Sequence, residues 1–245
     1  MVQIYKTKTG ELFYLSCQKK RYMRILFVAA TAAEVGGMIS DLGFEVSDLE
    51  KRSNFIIHHT PHKPDHKLLI TGVGMVATAY ALGRELAANK YDLAINLGIA
   101  GTFDRSIALG DVVEITTDTI AGLGAEDDDI FLPINQMGFG ESTFTATESL
   151  TNVFNKFNLK QVTAITVNTV HGNEASIQKV QKRLNPQTES MEGAAFFYAC
   201  REAGVPCLQI RAVSNYVEKR NRDNWQIGFA IKNLNTFAME LLKVL

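Results

Sequence analysis

The sequence has little of what usually announces special chemistry. Its three cysteines, Cys17, Cys200 and Cys207, make no CxxC and no even set. That argues against a disulfide framework or a zinc knuckle and points to a reducing cytoplasm. Four of the five histidines crowd into "HHTPHKPDH" (58–66). His58 and His59 are adjacent, and the prolines break any helix, so no i,i+4 ligand pair forms; a solvated loop and no metal are expected. The formal net charge is only −1, which supplies no bulk attraction to nucleic acid or to a membrane surface. No apolar run reaches the ~20 residues that span a bilayer. A complete dinucleotide fingerprint is also missing. "ITGVGMVATA" has no third glycine at the right spacing and no acidic residue at the end of a second strand. No cofactor is expected.

What is present is apolar surface: 46% of the 245 residues are hydrophobic, enough to bury a sizeable core. Val/Ile/Leu-rich runs at 24–30, 66–74, 91–103, 110–118, 161–170 and 206–215 read as strands. Helical patterns fall at 32–44, 75–90, 149–158, 192–204 and 227–245. Residues 119–145 hold Gly and Asp clusters with little periodicity and read as a long loop. Such alternation predicts a single α/β domain over residues 23–245, with a mixed, mostly parallel central sheet flanked by helices. Residues 1–22 read as an N-terminal extension: either an upstream translation start before Met23 or a short hairpin. They do not read as a signal peptide, because no continuous apolar stretch follows their charges.

In an open α/β sheet, ligands sit beyond the carboxyl ends of the strands. Those ends carry Thr31 to Glu34, Gly72 to Gly74, Gly98 to Gly101, Asn168 to Asn173 and Ser214 to Asn215. The two glycine turns either allow tight strand-to-helix turns or bring backbone N–H groups against a ligand. In "ESMEGAAFFYAC", Glu189 and Glu192 bracket Met191 where a helix begins. They cap the helix, or a carboxylate beside an apolar methionine clamps the two hydroxyls of a ribose. Glu34 is an ordinary first-turn glutamate or a general acid or base at the mouth of the sheet. His171 has no visible partner for a Cys–His or Ser–His–Asp arrangement and reads as a loop residue.

Taken together, "MRILFVAATAAEV", "ITGVGMVATA", "INLGIAGTF", "LGDVVEITTD", "ESMEGAAFFYAC" and "IRAVSN" resemble the purine nucleoside phosphorylase and nucleosidase superfamily, in order, from Met23 to the C-terminus. The chain is most similar to its hydrolase branch, which includes methylthioadenosine/S-adenosylhomocysteine nucleosidases and futalosine hydrolases. The resemblance implies that Glu34 activates the water attacking the anomeric carbon. Met191 and Glu192 would hold the ribose, and Arg211 would position the water or the ribose. Gly98, Ile99 and Ser214 would lie against the substrate, and Asn215 would face the purine near N7 and its 6-substituent. It also implies a homodimer or higher homo-oligomer.

Departures from the adenine-specific members sharpen this. They carry aspartate where this chain has Asn215. An amide can donate to O6 while accepting from a protonated N7, whereas a carboxylate facing O6 would oppose two acceptors, at about 1–3 kcal/mol. Ile99 replaces a small hydroxyl residue near the attacking water. Phosphorylases place an arginine in the glycine loops; here there is none, with Arg84 and Arg105 the nearest in sequence, so water rather than phosphate is the expected nucleophile. "VEKRNRDNW" (217–225) resembles the basic and aromatic segment of futalosine hydrolases. Their substrate is an inosine derivative whose 5′ extension ends in a carboxyphenyl group. Arg220, Arg222 and Trp225 would meet that end by charge pairing and stacking, or form a solvated loop at a subunit edge. The implied reaction is N-glycosidic hydrolysis releasing hypoxanthine, on a menaquinone route. Another purine nucleosidase, a phosphorylase, and a nucleoside-binding protein without chemistry are the alternatives.

Overall fold

The computed structural model describes residues 2–6, 12–16, 23–42, 45–46, 56–59 and 66–244. In chain order its strands are β1 (Val2–Lys6), β2 (Leu12–Ser16), β3 (Ile25–Ala29), β4 (Glu45–Val46), β5 (Ile56–His59), β6 (His66–Ile70), β7 (Leu93–Thr102), β8 (Val112–Ile120), β9 (Gly124–Asp127), β10 (Ile130–Pro133), β11 (Thr143–Thr145), β12 (Lys160–Thr166), β13 (Thr188–Ser190) and β14 (Cys207–Tyr216). The helices are α1 (Gly36–Leu42), α2 (Met75–Ala88), α3 (Leu150–Phe154), α4 (Glu174–Leu184), α5 (Gly193–Ala203) and α6 (Ile227–Leu242).

The fold is α/β with one central mixed sheet. Its middle closes on itself: β7 pairs with β14, β14 with β8, β8 with β12, β12 with β13, and β13 with β7. The long ladders β7–β14, β8–β12, β3–β7 and β3–β6 are parallel. Short antiparallel ladders close the ring and finish the edges at β11 and β4–β5. β3 lies beside β7, so the carboxyl ends of β3, β7 and β14 meet at one mouth.

Helices cover both faces because their apolar residues fall at helical spacing. Ala230, Leu234, Ala238 and Leu241 of α6 are buried against Phe27, Ile95 and Ile210. α2 and α5 pack on the opposite side through Ala81, Leu82, Leu86, Phe196 and Phe197. Gly193 opens α5 at a point where a methyl group would lie 2.1 Å from both Asp118 Oδ2 and Gln209 Oε1. Glycine there lets the helix start close over a buried polar group.

Several expectations need correction. Residues 119–145 are not one loop, for β9 and β10 form an antiparallel ribbon and β11 pairs with β8. The glycines of "NLGIAGTF" do not make a turn; β7 runs unbroken through them. Helix α4 carries no apolar stripe to announce it, because its segment is mostly polar and buries only Ile177 and Val180. Its signals are its ends: Asn173 accepts from the Ala175 and Ser176 amides (3.0 and 3.2 Å), and Asn185 closes it at φ 45°. The histidine-rich stretch is not a plain solvated loop, since His58 and His59 belong to β5 and His66 is buried at the start of β6; His62 lies outside the described residues. Of residues 1–22, the described parts are β1 and β2, which pair antiparallel.

Candidate active site

The mouth of the ring holds a cavity of about 420 Å³. Glu34, Ile99, Met191, Glu192, Ser214, Asn215, Arg220 and Trp225 line it, so eight residues from five separate stretches of sequence converge. Gly98 and Arg211 stand behind its wall, and Arg222 lies outside it. Val170, His171, Glu189 and Gly101 complete one side.

Glu34 sits in the turn between β3 and α1 and is buried. Its Oε2 accepts from the Thr31 amide (2.9 Å) and hydroxyl (3.0 Å), and Oε1 accepts from the Ile99 amide (3.2 Å). The turn is pinned from behind by Asn235 of α6, which donates to the Glu34 carbonyl (2.8 Å) and accepts from the Met38 amide (3.0 Å). Burial raises the carboxyl's pKa, and Glu192 adds to that; the Arg211 charge and the two backbone donors oppose it. A carboxylate held between these influences suits proton transfer.

Arg211 is 1% exposed. Its Nε donates to Gln209 Oε1 (3.0 Å), and Gln209 Nε2 donates to Asp118 Oδ2 (3.1 Å). Asp118 Oδ1 accepts from the Thr166 hydroxyl (2.8 Å). Burial pushes the Asp118 carboxyl up to about 6, against those hydrogen bonds and the Arg211 charge. Gly98 is what admits Arg211: a methyl group there would lie 1.9 Å from Arg211 Nη1 and 3.1 Å from Glu34 Oε1. The guanidinium and Glu34 therefore crowd one point, acting on each other through space without a hydrogen bond. Arg211 Nη2 is buried and has no partner among the described residues.

The two glutamates of "ESMEG" do not cap their helix. Glu192 sits at the N-cap of α5 but makes no capping bond. Its Oε1 instead accepts from the Gly74 amide (2.9 Å), where Gly74 has φ 96°. The turn of "ITGVGM" thus aims a backbone N–H at a carboxylate, a conformation that glycine supplies without strain. Glu189 takes a different partner. It accepts from the His171 amide (3.0 Å) and lies 2.6 Å from His171 Nδ1. His171 is in a loop, as expected, and its partner is a glutamate rather than a member of a Cys–His or Ser–His–Asp set. Sequence reasoning missed the pair because 18 positions separate its members and only the β12–β13 pairing brings them together. Burial raises the Glu189 carboxyl, while its contacts with His171 lower it.

Asn215 reaches the cavity through a break in register. Between Val213 and Asn215 the β14–β7 ladder shifts, Val213 opposing Ala100 and Asn215 opposing Gly101. Ser214 is the extra residue of a bulge, which turns Asn215 onto the face opposite that of Arg211. The Ser214 hydroxyl donates to Asn215 Oδ1 (2.9 Å) and Asn215 Nδ2 to the Tyr216 carbonyl (3.0 Å), fixing the amide. One proton of Nδ2 and one lone pair of Oδ1 are left over.

Beyond the strand, the Arg220 amide donates to the Gly172 carbonyl (3.1 Å). Arg220 stacks on Trp225 at 4.9 Å, and exposed Arg222 reaches the same ring only at 6.0 Å. Arg105 pairs with Glu218 (2.5 Å) over Tyr216, and Arg84 lies over Tyr80; neither lines the cavity. No group of His, Cys, Asp or Glu suited to a metal occurs among the described residues.

Gly98→Ala should displace Arg211, because a core methyl that close forces a rearrangement costing about 1–3 kcal/mol. Its kcat should fall at least about tenfold. Adding Arg211→Ala should then cost little more, since both changes remove one interaction. A double-mutant cycle on kcat checks this, and additive losses would refute it.

Residues 24–245 match the Phosphorylase superfamily. A futalosine hydrolase of Streptomyces coelicolor is 33% identical over 91% of this chain and 97% of its own length. One from Thermus thermophilus is 29% identical over 71% and 80%. Among solved structures, Helicobacter pylori futalosine hydrolase superposes with TM-score 0.76 at 16% identity, covering 91% of this chain and 97% of that one. Helicobacter pylori methylthioadenosine/S-adenosylhomocysteine nucleosidase gives 0.76 at 18%, with the same coverage. The fold is therefore shared, and the chain belongs to the Phosphorylase superfamily and, within it, to the futalosine hydrolases.

Proposed function

We propose that the protein hydrolyses the N-glycosidic bond of futalosine, releasing hypoxanthine and the ribosyl-linked remainder. The observation that carries this is Asn215, an amide fixed at the mouth of the ring in the same cavity as Glu34 and Glu192. Asn215 would donate to O6 and accept from N7 as that nitrogen gains a proton, stabilising the leaving base. Glu34 takes the proton of the attacking water, and Arg211, behind the wall, bears on that step through its charge on Glu34. Met191 packs against the ribose, and Glu192, held by the Gly74 amide, accepts from its hydroxyls. Gly98 contributes through Arg211, whereas Ile99 and Ser214 border the substrate. The transition state is oxocarbenium-like, as at other glycosidic centres.

The 5′ extension would run toward Arg220 and Trp225 at the cavity wall, with Arg222 supporting the indole from outside. Water is the nucleophile we favour, because neither Arg84 nor Arg105 reaches the cavity to hold phosphate. The product would enter a menaquinone route. A cytoplasmic setting is supported by the free, buried thiols of Cys200 and Cys207. Exposed Val76 and Tyr80 on α2, with Ile130 and Phe139, support a homo-oligomer.

Purified protein given futalosine, inosine and methylthioadenosine, with and without phosphate, tests the whole reading. Hypoxanthine release from futalosine, independent of phosphate, is expected; adenine release alone, or a phosphate requirement, would overturn it. Glu34→Gln should lose about 10²–10⁴ in kcat while still binding substrate. Because burial raises the Glu34 pKa, wild-type activity is present above that pKa and lost as pH falls through it. The acid limb of the pH–rate profile should therefore stand above the usual carboxylate range and vanish in Glu34→Gln. Asn215→Asp should shift the preference from 6-oxopurine toward 6-aminopurine leaving groups, measured as the ratio of kcat/KM. Arg220→Ala should raise KM for futalosine more than for inosine; equal changes in both would remove Arg220 from the 5′ site.

A further inference from the structure

The His171–Glu189 pair is the buried polar group in the cavity that the reaction above leaves unused. Glu189 is 4% exposed, and both its oxygens face His171, one toward the backbone amide and one toward Nδ1. A carboxylate at Nδ1 fixes the neutral ring as the Nδ1–H tautomer, leaving the lone pair on Nε2. Nε2 has no partner among the described residues, and His171 borders both the nucleoside cavity and the recess beside it. Phe103 lies against the ring at 6.3 Å between centroids, at 62°.

Strand register places this pair relative to Asn215. Glu189 of β13 and Asn215 of β14 both oppose Gly101 of β7, one on each side. In-register neighbours share a face, and two inter-strand spacings put their backbones roughly 10 Å apart. Gly101 carries no side chain, and Asn215 Nδ2 lies 3.1 Å from where its Cβ would be. The amide thus leans over β7, beside a Val217 methyl that lies 2.9 Å from the same point, while β13 carries Glu189 on the other flank.

We propose that the Glu189–His171 pair reads the Watson–Crick edge of the base, with His171 Nε2 accepting N1–H of a 6-oxopurine while Asn215 serves O6 and N7. The inference rests on the 6-oxopurine reading above and adds a second specificity determinant to it. A 6-oxopurine presents a donor at N1; adenine presents a lone pair there. Against adenine, two acceptors would meet at N1, an unpaired buried contact of the kind that sites use to reject analogues. Glu189 acts through His171 as a positioning residue that sets the tautomer.

Glu189→Gln tests this with little change of shape. To keep accepting from the His171 amide with its oxygen, the glutamine must turn its NH₂ toward Nδ1. The ring proton then moves to Nε2, and the cavity gains a donor where it had an acceptor. Expected are a roughly hundredfold fall in kcat/KM for inosine relative to adenosine and imidazole ¹⁵N shifts that report the change from Nδ1–H to Nε2–H. His171→Phe keeps an aromatic ring beside Phe103 but removes the acceptor, and it should narrow the inosine preference without reversing it. If wild type prefers inosine and neither variant moves the ratio, the pair only holds the loop and this inference alone fails. If wild type prefers adenosine, the 6-oxopurine reading fails and takes this one with it.

Discussion

A buried guanidinium is the constraint around which the site is built. Removing an arginine from water costs several kcal/mol unless charge and hydrogen bonds replace the solvent. Arg211 donates a hydrogen bond to Gln209, and Asp118 and Glu34 supply opposite charge on its two sides. That arrangement demands space, and two glycines provide it: Gly98 beside the guanidinium and Gly193 beside the Asp118–Gln209 contact. The closed ring follows from the same need, because β14, β7, β8 and α5 must all come within reach of one side chain. Desolvating Glu34 raises its pKa and the arginine restrains the rise, so one buried charge tunes the proposed base and helps to seat it.

The bulge at Ser214 separates two tasks along one strand. Before it, Arg211 opposes Gly98 on the face that carries Glu34; after it, Asn215 opposes Gly101 on the other face. Without the extra residue, positions 211 and 215 would share a face, since side chains alternate with period two. The ring places β13 on the other flank of β7, so the Glu189–His171 pair comes opposite Asn215. Residues of both faces thus reach the one cavity at the strand ends, the proposed base from one and the proposed purine contacts from the other.

Much of the fold was legible in local pattern. The runs that became β3, β6, β7, β8, β12 and β14 are apolar and short, and α2, α5 and α6 carry helical spacing. The failures share a physical cause. α4 has too few apolar residues to declare itself, and β9, β10, β11 and β13 are three or four residues long. Pairing rather than their own composition makes these four strands: β9 and β10 hold each other, and β11 and β13 depend on partners distant in sequence. The glycines of β7 misled for a related reason: they looked like turn formers, but they are cleared positions beneath side chains from β14. Glu34, Glu192 and Asn215 were visible as polar residues at strand and helix ends. His171 was visible too, but nothing local tied it to Glu189.

What the sequence determined by itself was the alternation of buried strands and amphipathic helices, and the set of polar residues at their ends. Both follow from periodicity and from the cost of burying a polar group. The tertiary structure alone decided which of those residues face each other. Ring closure, the register shift at Ser214 and the packing of α6 behind the Glu34 turn are long-range pairings, and no local pattern encodes the distance between residues 34 and 211 or 101 and 189. Contacts of that kind are set by how strands align across the whole sheet, where a slip of one residue would turn Asn215 or Glu189 to the opposite face.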